Sequence, residues 1–412
     1  MRKYFLILLS TFLHFYIFTS LFATVRIGTE IETGGTSYSN PEYKKESSLK
    51  NSYFYEKTRF YLDGELKKNV MVGLKLLSRG VFGKEFNEKY TTVKSSITFI
   101  NYTPQIENAY IKFIEINNLP VDFTIGRQSI KIGQGVIVDD DGLGFDAIRL
   151  KGYLPFSIDV DAFLIKKTEL SGEQYTKDKD DSLYALGGNW VYDNDYNFRV
   201  YYFIEESSSP LKKNFLTLRA DGRFKQGVDY HLEVIKSGGD YSGISYLLGV
   251  TAYSKLRRLG ETSVKFEYAV GTGKDNQLGF APTYGHKTDG FERAGYGEYF
   301  GASLSEFYGQ FPSAVYQGIH TTLLGVGFEP YNYLNLNFDY YILFSVDYPT
   351  GMVFTDRLLG EELDASVRYK FTENCYLSFI YARFSPLKIL KPVGETAKVI
   401  ANKIGWAISA KF

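Results

Sequence analysis

The chain is 412 residues long and its 47 basic side chains are matched by 47 acidic ones, so it has no cationic surplus to neutralise phosphates, and nucleic acid is excluded as a partner. With 35 Tyr, 33 Phe and 39 Gly against 11 Pro and one Cys, the composition is that of an all-β protein, and the lone Cys375 excludes an internal disulfide. Past residue 23 no stretch approaches the roughly 18 uninterrupted apolar residues of a spanning helix, which leaves strands as the means of crossing a bilayer.

Residues 1–23 open with Arg2 and Lys3, run through apolar stretches from Phe5 to Leu9 and from Phe12 to Phe22, and reach Ala23. This is the build of a cleaved secretory signal peptide, so residues 24–412 are expected to form one exported domain. From there, segments of about ten residues with a period of two, bounded by turn residues, predict strands near 24–34, 54–66, 69–79, 104–116, 119–131, 143–152, 155–167, 182–192 and 195–206. They continue near 212–223, 226–237, 243–255, 261–272, 316–329, 331–346, 358–371, 374–385 and 398–412. That makes about eighteen, with sixteen as the alternative, since single-chain bacterial barrels carry even numbers; residues 92–102 are read as a loop or an extension of a neighbouring strand.

The connections alternate in length. Short ones fall at Lys67-Lys68, Asn117-Asn118, Tyr153-Leu154, Tyr192 to Asp195, Lys225, Pro330 and Thr372-Glu373. Long ones fall at 35–53, 80–103, 168–181, 273–315, 347–357 and 386–397. A transmembrane antiparallel β-barrel with short periplasmic turns and long extracellular loops has this order, and it puts both ends of the mature chain on the short-turn side.

Within strands one face is apolar and the other hydrophilic. Thr58, Phe60, Leu62 and Leu66 oppose Lys57, Arg59, Tyr61, Asp63 and Glu65, and Leu363, Ala365, Val367, Tyr369 and Phe371 oppose Glu362, Asp364, Ser366, Arg368 and Lys370. The chain ends on the same alternation, with Ile404, Trp406, Ile408, Ala410 and Phe412 set against Lys403, Gly405, Ala407, Ser409 and Lys411. Lipid outside and water inside impose this period, so the expected partners are outer-membrane lipid around the wall and the barrel-assembly machinery at the terminal Phe412.

Three places in the chain are more specific. Gly126-Arg127-Gln128 closes one strand, Phe145-Asp146-Ala147-Ile148-Arg149-Leu150 forms the next, and Gly360-Glu361-Glu362-Leu363-Asp364 opens the strand third from the end. In these motifs, and in strand layout over the whole mature chain, the sequence resembles the alginate-export family of outer-membrane porins. The resemblance implies a monomeric eighteen-stranded barrel and passive export of an anionic polysaccharide through a pore lined by Arg and Lys. It is carried by Gly126, Arg127, Gln128, Phe145, Asp146, Arg149, Gly360, Glu362 and Asp364. Arg149 falls on the inward phase, whereas alternation from Val121, Phe123 and Ile125 places Arg127 on the lipid side, so that a bulge at Gly126 would be needed to turn it inward.

The same phase reading lines the pore with Arg59, Lys75, Arg79, Lys112, Arg149, Arg199, Arg219, Arg368, Lys370 and Lys403, but also with Glu30, Glu32, Asp122, Asp161, Asp221, Glu233, Asp339, Glu362 and Asp364. So mixed a lumen suits small polar solutes or oligosaccharides better than a polyanion. Loop 273–315, the longest, carries His286, Arg293 and Tyr299 and is the candidate constriction, with an outer cap as the alternative. Asp139-Asp140-Asp141-Gly142 with Asp146 offers oxygens of the kind Ca²⁺ takes but lacks EF-hand spacing, and is read as a solvated turn at the outer surface. No metal or cofactor is indicated. His231 beside Asp229 and Glu233 is what any lumen shows, so the chain is read as non-enzymatic. The expected function is a porin-like channel for passive diffusion or export of small polar solutes or saccharide, with a surface receptor or adhesin that binds through its outer loops as the alternative.

Overall fold

Strands survive in hydrocarbon only when every backbone N–H and C=O is bonded within the wall, and closing the sheet removes the two edges that would otherwise stay unpaired. The computed structural model of the chain is closed in this way. It describes residues 24–39, 50–67, 69–91, 98–140, 142–168, 181–193, 195–207, 212–225, 227–271, 297–298, 300, 317–347, 358–386 and 400–412. The wall strands are β1 (Thr24–Ser39), β2 (Lys50–Lys67), β3 (Val70–Val81), β4 (Gln105–Phe113), β5 (Val121–Gln128) and β6 (Phe145–Leu154). Next come β7 (Ile158–Thr168), β8 (Asp181–Tyr192), β9 (Tyr196–Glu206), β10 (Lys213–Phe224), β11 (Val228–Gly239) and β12 (Gly243–Leu256). The last six are β13 (Gly260–Gly271), β14 (Gln317–Tyr331), β15 (Leu334–Asp347), β16 (Leu358–Thr372), β17 (Cys375–Pro386) and β18 (Ala401–Lys411).

These eighteen strands pair antiparallel with their sequence neighbours, and β1 pairs with β18 from Glu30 opposite Lys411 to Ser39 opposite Asn402, which seals the barrel. The terminal Phe412 joins the seam, since its N–H donates to the Thr29 carbonyl at 2.8 Å. Each of the eighteen expected strands is present. Their ends move by a few residues: β1 runs on to Ser39, and β5 stops at Gln128, short of residue 131. Within 92–102, Thr98–Ile100 pairs with Lys89–Thr91 as a small hairpin off the wall, in keeping with its reading as a loop.

Side chains alternate across the wall as the period of two requires. On β9 the outward Phe198, Val200, Tyr202 and Ile204 are exposed, while the inward Tyr201, Phe203 and Glu205 are buried. At the short-turn rim Phe156 and Ser157 take φ of 64° and 56°, the left-handed twist that a tight hairpin needs.

The interior departs from a water-filled tube. Between β5 and β6 the segment 129–144 folds into the barrel, where Lys131–Ile132 pairs with Val138–Asp139 as a short hairpin. Its Ile130, Ile132, Val136, Ile137 and Val138 are buried in one apolar cluster with inward residues of the wall, among them Phe163, Leu183, Phe203, Phe215, Ile235 and Leu247. Burying such a side chain fully contributes about 1.5–3 kcal/mol, so the inward apolar positions of β7–β12 seat the insert.

Candidate functional site

Of the ten cations placed in the pore by sequence phase, carboxylates hold seven. Arg149 grips Asp161 through two bonds of 2.9 and 2.6 Å. Arg219 bridges Asp221 at 2.7 Å and Glu233 at 2.9 Å, and Arg199 lies 3.7 Å from the same Asp221. Lys112 pairs with Asp122 at 2.8 Å. Arg59 and Lys75 share the buried Glu107, at 2.9 and 3.1 Å, and Arg59 also reaches Glu30 at 3.4 Å. Lys403 binds Glu298 at 2.8 Å, and Arg368 lies over the Tyr376 ring at 5.0 Å. Arg79 is buried opposite Lys57, and Lys370 is exposed toward the short-turn end. Glu107 enters this network because the β3–β4 register shifts between Lys75 and Leu76, a local irregularity that strict alternation does not foresee.

Two cavities remain open inside the barrel among the described residues. A cavity of about 460 Å³ is bounded by β1 and β2 (Glu30, Glu32, Lys57, Arg59), by the insert (Lys131, Asp139, Gly142) and by Lys411. A second, of about 610 Å³, lies against β14–β18 and shares the lining residues Glu32, Tyr376 and Ser409 with the first. The insert thus fills part of the barrel interior on the β7–β12 side. The wall clasps it from opposite directions: the N–H of Gln134 donates to Glu233 Oε2 on β11 at 3.1 Å, while Gly142 lies near Arg59 on β2.

This corrects the reading of the Asp139–Gly142 turn. Asp139 and Asp140 are buried inside the barrel and not solvated at its surface. Asp139 pairs with Lys131 at 2.9 Å, and Asp140 Oδ2 accepts the N–H of Gly144 at 3.0 Å. Burial pushes the Asp140 carboxyl above its usual range. Asp141 lies outside the described residues. Among those described, no group of three or more His, Cys, Asp or Glu is placed to hold a metal. The acids next to His231 are engaged elsewhere, Asp229 with Arg223 at 2.8 Å and Glu233 with Arg219, while His231 faces Glu267 at 3.7 Å.

The motif residues frame the in-folded segments. Gly126 has φ of +114°, and a Cβ there would meet the Ala109 carbonyl at 2.3 Å. No turn inward follows: Arg127 keeps its outward phase, bonded to the carbonyls of Ile106 and Leu143 and paired with Asp146 at 2.9 Å. Gln128 points inward and donates to the Ala147 carbonyl at 3.1 Å, and Phe145 packs against the apolar cluster. On β16, Gly360 lies flat against the Phe384 ring, where a Cβ would come within 2.6 Å. Glu362 and Asp364 are buried and accept the N–H groups of Phe300 and Glu298, both at 2.9 Å. The described part of the longest loop, Gly297, Glu298 and Phe300, is therefore strapped to the inner wall, with Phe300 and Phe384 rings 5.3 Å apart. His286, Arg293 and Tyr299 lie outside the described residues.

No protein-family model and no curated protein matches this chain. Solved structures do. Pseudomonas aeruginosa OpdQ is similar with a TM-score of 0.61 and 11% identity, over 96% of this chain and 99% of that one. Pseudomonas aeruginosa OccK8 (OprE) gives 0.60 and 13%, over 95% and 99%, and Acinetobacter baumannii OccAB3 gives 0.58 and 13%, over 95% and 99%. At such identities the likeness establishes the fold, an eighteen-stranded barrel of the outer-membrane porin type. The comparisons do not show the alginate-export family.

Proposed function

We propose that this protein is a channel of the bacterial outer membrane through which small polar solutes diffuse passively. The observation that carries the reading is the pair of cavities left inside the barrel, lined in part by charged, amide and hydroxyl side chains and enclosed by a wall whose outer face is apolar. The outer-membrane porins that share the fold support it. In this reading the leader of residues 1–23 is removed, Phe412 is presented to the assembly machinery, the barrel works as a monomer, and His286, Arg293 and Tyr299 add to the narrowing. Export of a polyuronate is less well supported, because a polyanion would have to displace the carboxylates that already hold Arg59, Lys112, Arg149 and Arg219. Reconstitution of the purified protein into planar bilayers tests the proposal: discrete conductance steps are expected. Silent bilayers, together with a partner captured by the outer loops, would instead support a receptor or adhesin.

A further inference from the structure

The lumen is open where its inward side chains are short. Ser366 on β16, Ser378 on β17 and Gly405, Ala407 and Ser409 on β18 line the 610 Å³ cavity, whereas the facing half of the barrel fills its interior with Arg, Tyr and Phe. Most of the charges bordering this cavity are engaged, Lys370 at its short-turn end being the exception. Lys403 is held by Glu298, Glu32 accepts the Ser409 hydroxyl at 3.2 Å, Glu329 accepts the Asn335 amide at 2.8 Å, and Arg368 lies on the Tyr376 ring. What the surface offers a solute is a row of amides and hydroxyls running across β15–β18: Asn335, Asn337, Ser366, Ser378 and Ser409. The row is itself linked, since the Asn337 amide donates to Asn335 Oδ1 and to Ser366 Oγ, the latter at 3.5 Å.

We infer that this row is a binding site for an uncharged polyhydroxylated solute of mono- or disaccharide size, an assignment that rests on the channel reading and names its solute. Each sugar hydroxyl both donates and accepts a hydrogen bond. Amide and hydroxyl linings reciprocate both, whereas a carboxylate only accepts and an ammonium only donates. Neutral hydrogen bonds exchanged against water are individually weak, and weak binding is what a site on a conducting path requires, so that the solute can leave. The volume falls in the range of small-molecule sites. Gly405 lines the cavity, and a Cβ there would find its nearest atoms at 3.7 and 3.9 Å, so a side chain can be built at this position.

Maltose, added to single channels in planar bilayers, is the probe. Current is expected to fall saturably with maltose concentration, half-maximally in the millimolar range that weak hydrogen-bonded sites give. The pair Asn337→Leu and Ser366→Ala should raise that concentration about tenfold, and Gly405→Trp should abolish the response. Folding of each variant is checked by its heat-modifiable migration in gels. A current that falls no further than viscosity dictates, or a maltose effect displaced by acetate, overturns the assignment. If the protein does not conduct at all, calorimetry with maltose on the detergent-solubilised protein decides: binding keeps the site and discards the channel, and absence of binding discards the site.

Discussion

Gly126 takes a backbone angle that residues with a Cβ rarely adopt. Its φ of +114° brings the end of β5 close under the Ala109 carbonyl, with two residues left before the insert begins, while the ladder continues unbroken to Gln128. Gly126→Ala is expected to destabilise the barrel by roughly 1–3 kcal/mol, read as a lower temperature for conversion from the folded to the unfolded band in gels. Glu233 clasps the other side, holding both Arg219 and the Gln134 N–H from a nearly fully buried position. Removing one partner of such a buried pair costs about 3–5 kcal/mol, so Glu233→Gln should loosen the insert and speed thiol labelling of Gln134→Cys. Asp140 gives this loosening a sign with pH. Its carboxyl is raised by burial, so the seated insert is favoured below the ordinary carboxylate range and loses that advantage as pH rises through the raised value. Labelling of the same cysteine should therefore be slower near pH 4 than near pH 7, and Asp140→Asn should shrink the difference.

Among the elements, the strands were readable and the insert was not. A strand in a barrel wall meets lipid and lumen at alternate residues, and that period is written in Leu363, Ala365 and Val367 against Glu362, Asp364 and Ser366 without reference to anything distant. The segment 129–144 has no such period, because its environment is set by wall strands β7–β12 far along the chain. Signals were present all the same. Val136-Ile137-Val138 is an apolar run in a stretch otherwise rich in Gly and Asp, and Tyr201-Tyr202-Phe203-Ile204 is apolar on both faces of β9, which a wholly aqueous lumen would not tolerate. Since Gln128 already opposes Phe145 in the β5–β6 ladder, replacing residues 130–143 with Asn-Gly should leave the wall closed. Single-channel conductance is then expected to rise severalfold; an unchanged value would mean that the insert does not narrow the path.

At the scale of the whole molecule, equal numbers of acids and bases give a lumen of mixed sign in which seven of the ten predicted pore cations are paired with carboxylates. Reversal potentials in asymmetric KCl are accordingly expected to stay close to zero; strong anion preference would return attention to a polyuronate. Outside, the wall presents side chains such as Leu186 at 60% exposure, which only lipid covers, and an Arg there is expected to cost about 2–4 kcal/mol if it sits near mid-depth.

The amino-acid order alone determined the barrel class, the places of the strands, their faces and the alternation of turn and loop, because each follows from a neighbour two residues away and a solvent on either side. Only the tertiary structure decided that most of the predicted pore cations are held by particular acids, that segment 129–144 and Phe300 fill one part of the barrel, and that a cavity is left against β14–β18. Those outcomes depend on which distant strands face each other across the closed wall, and no local period records that.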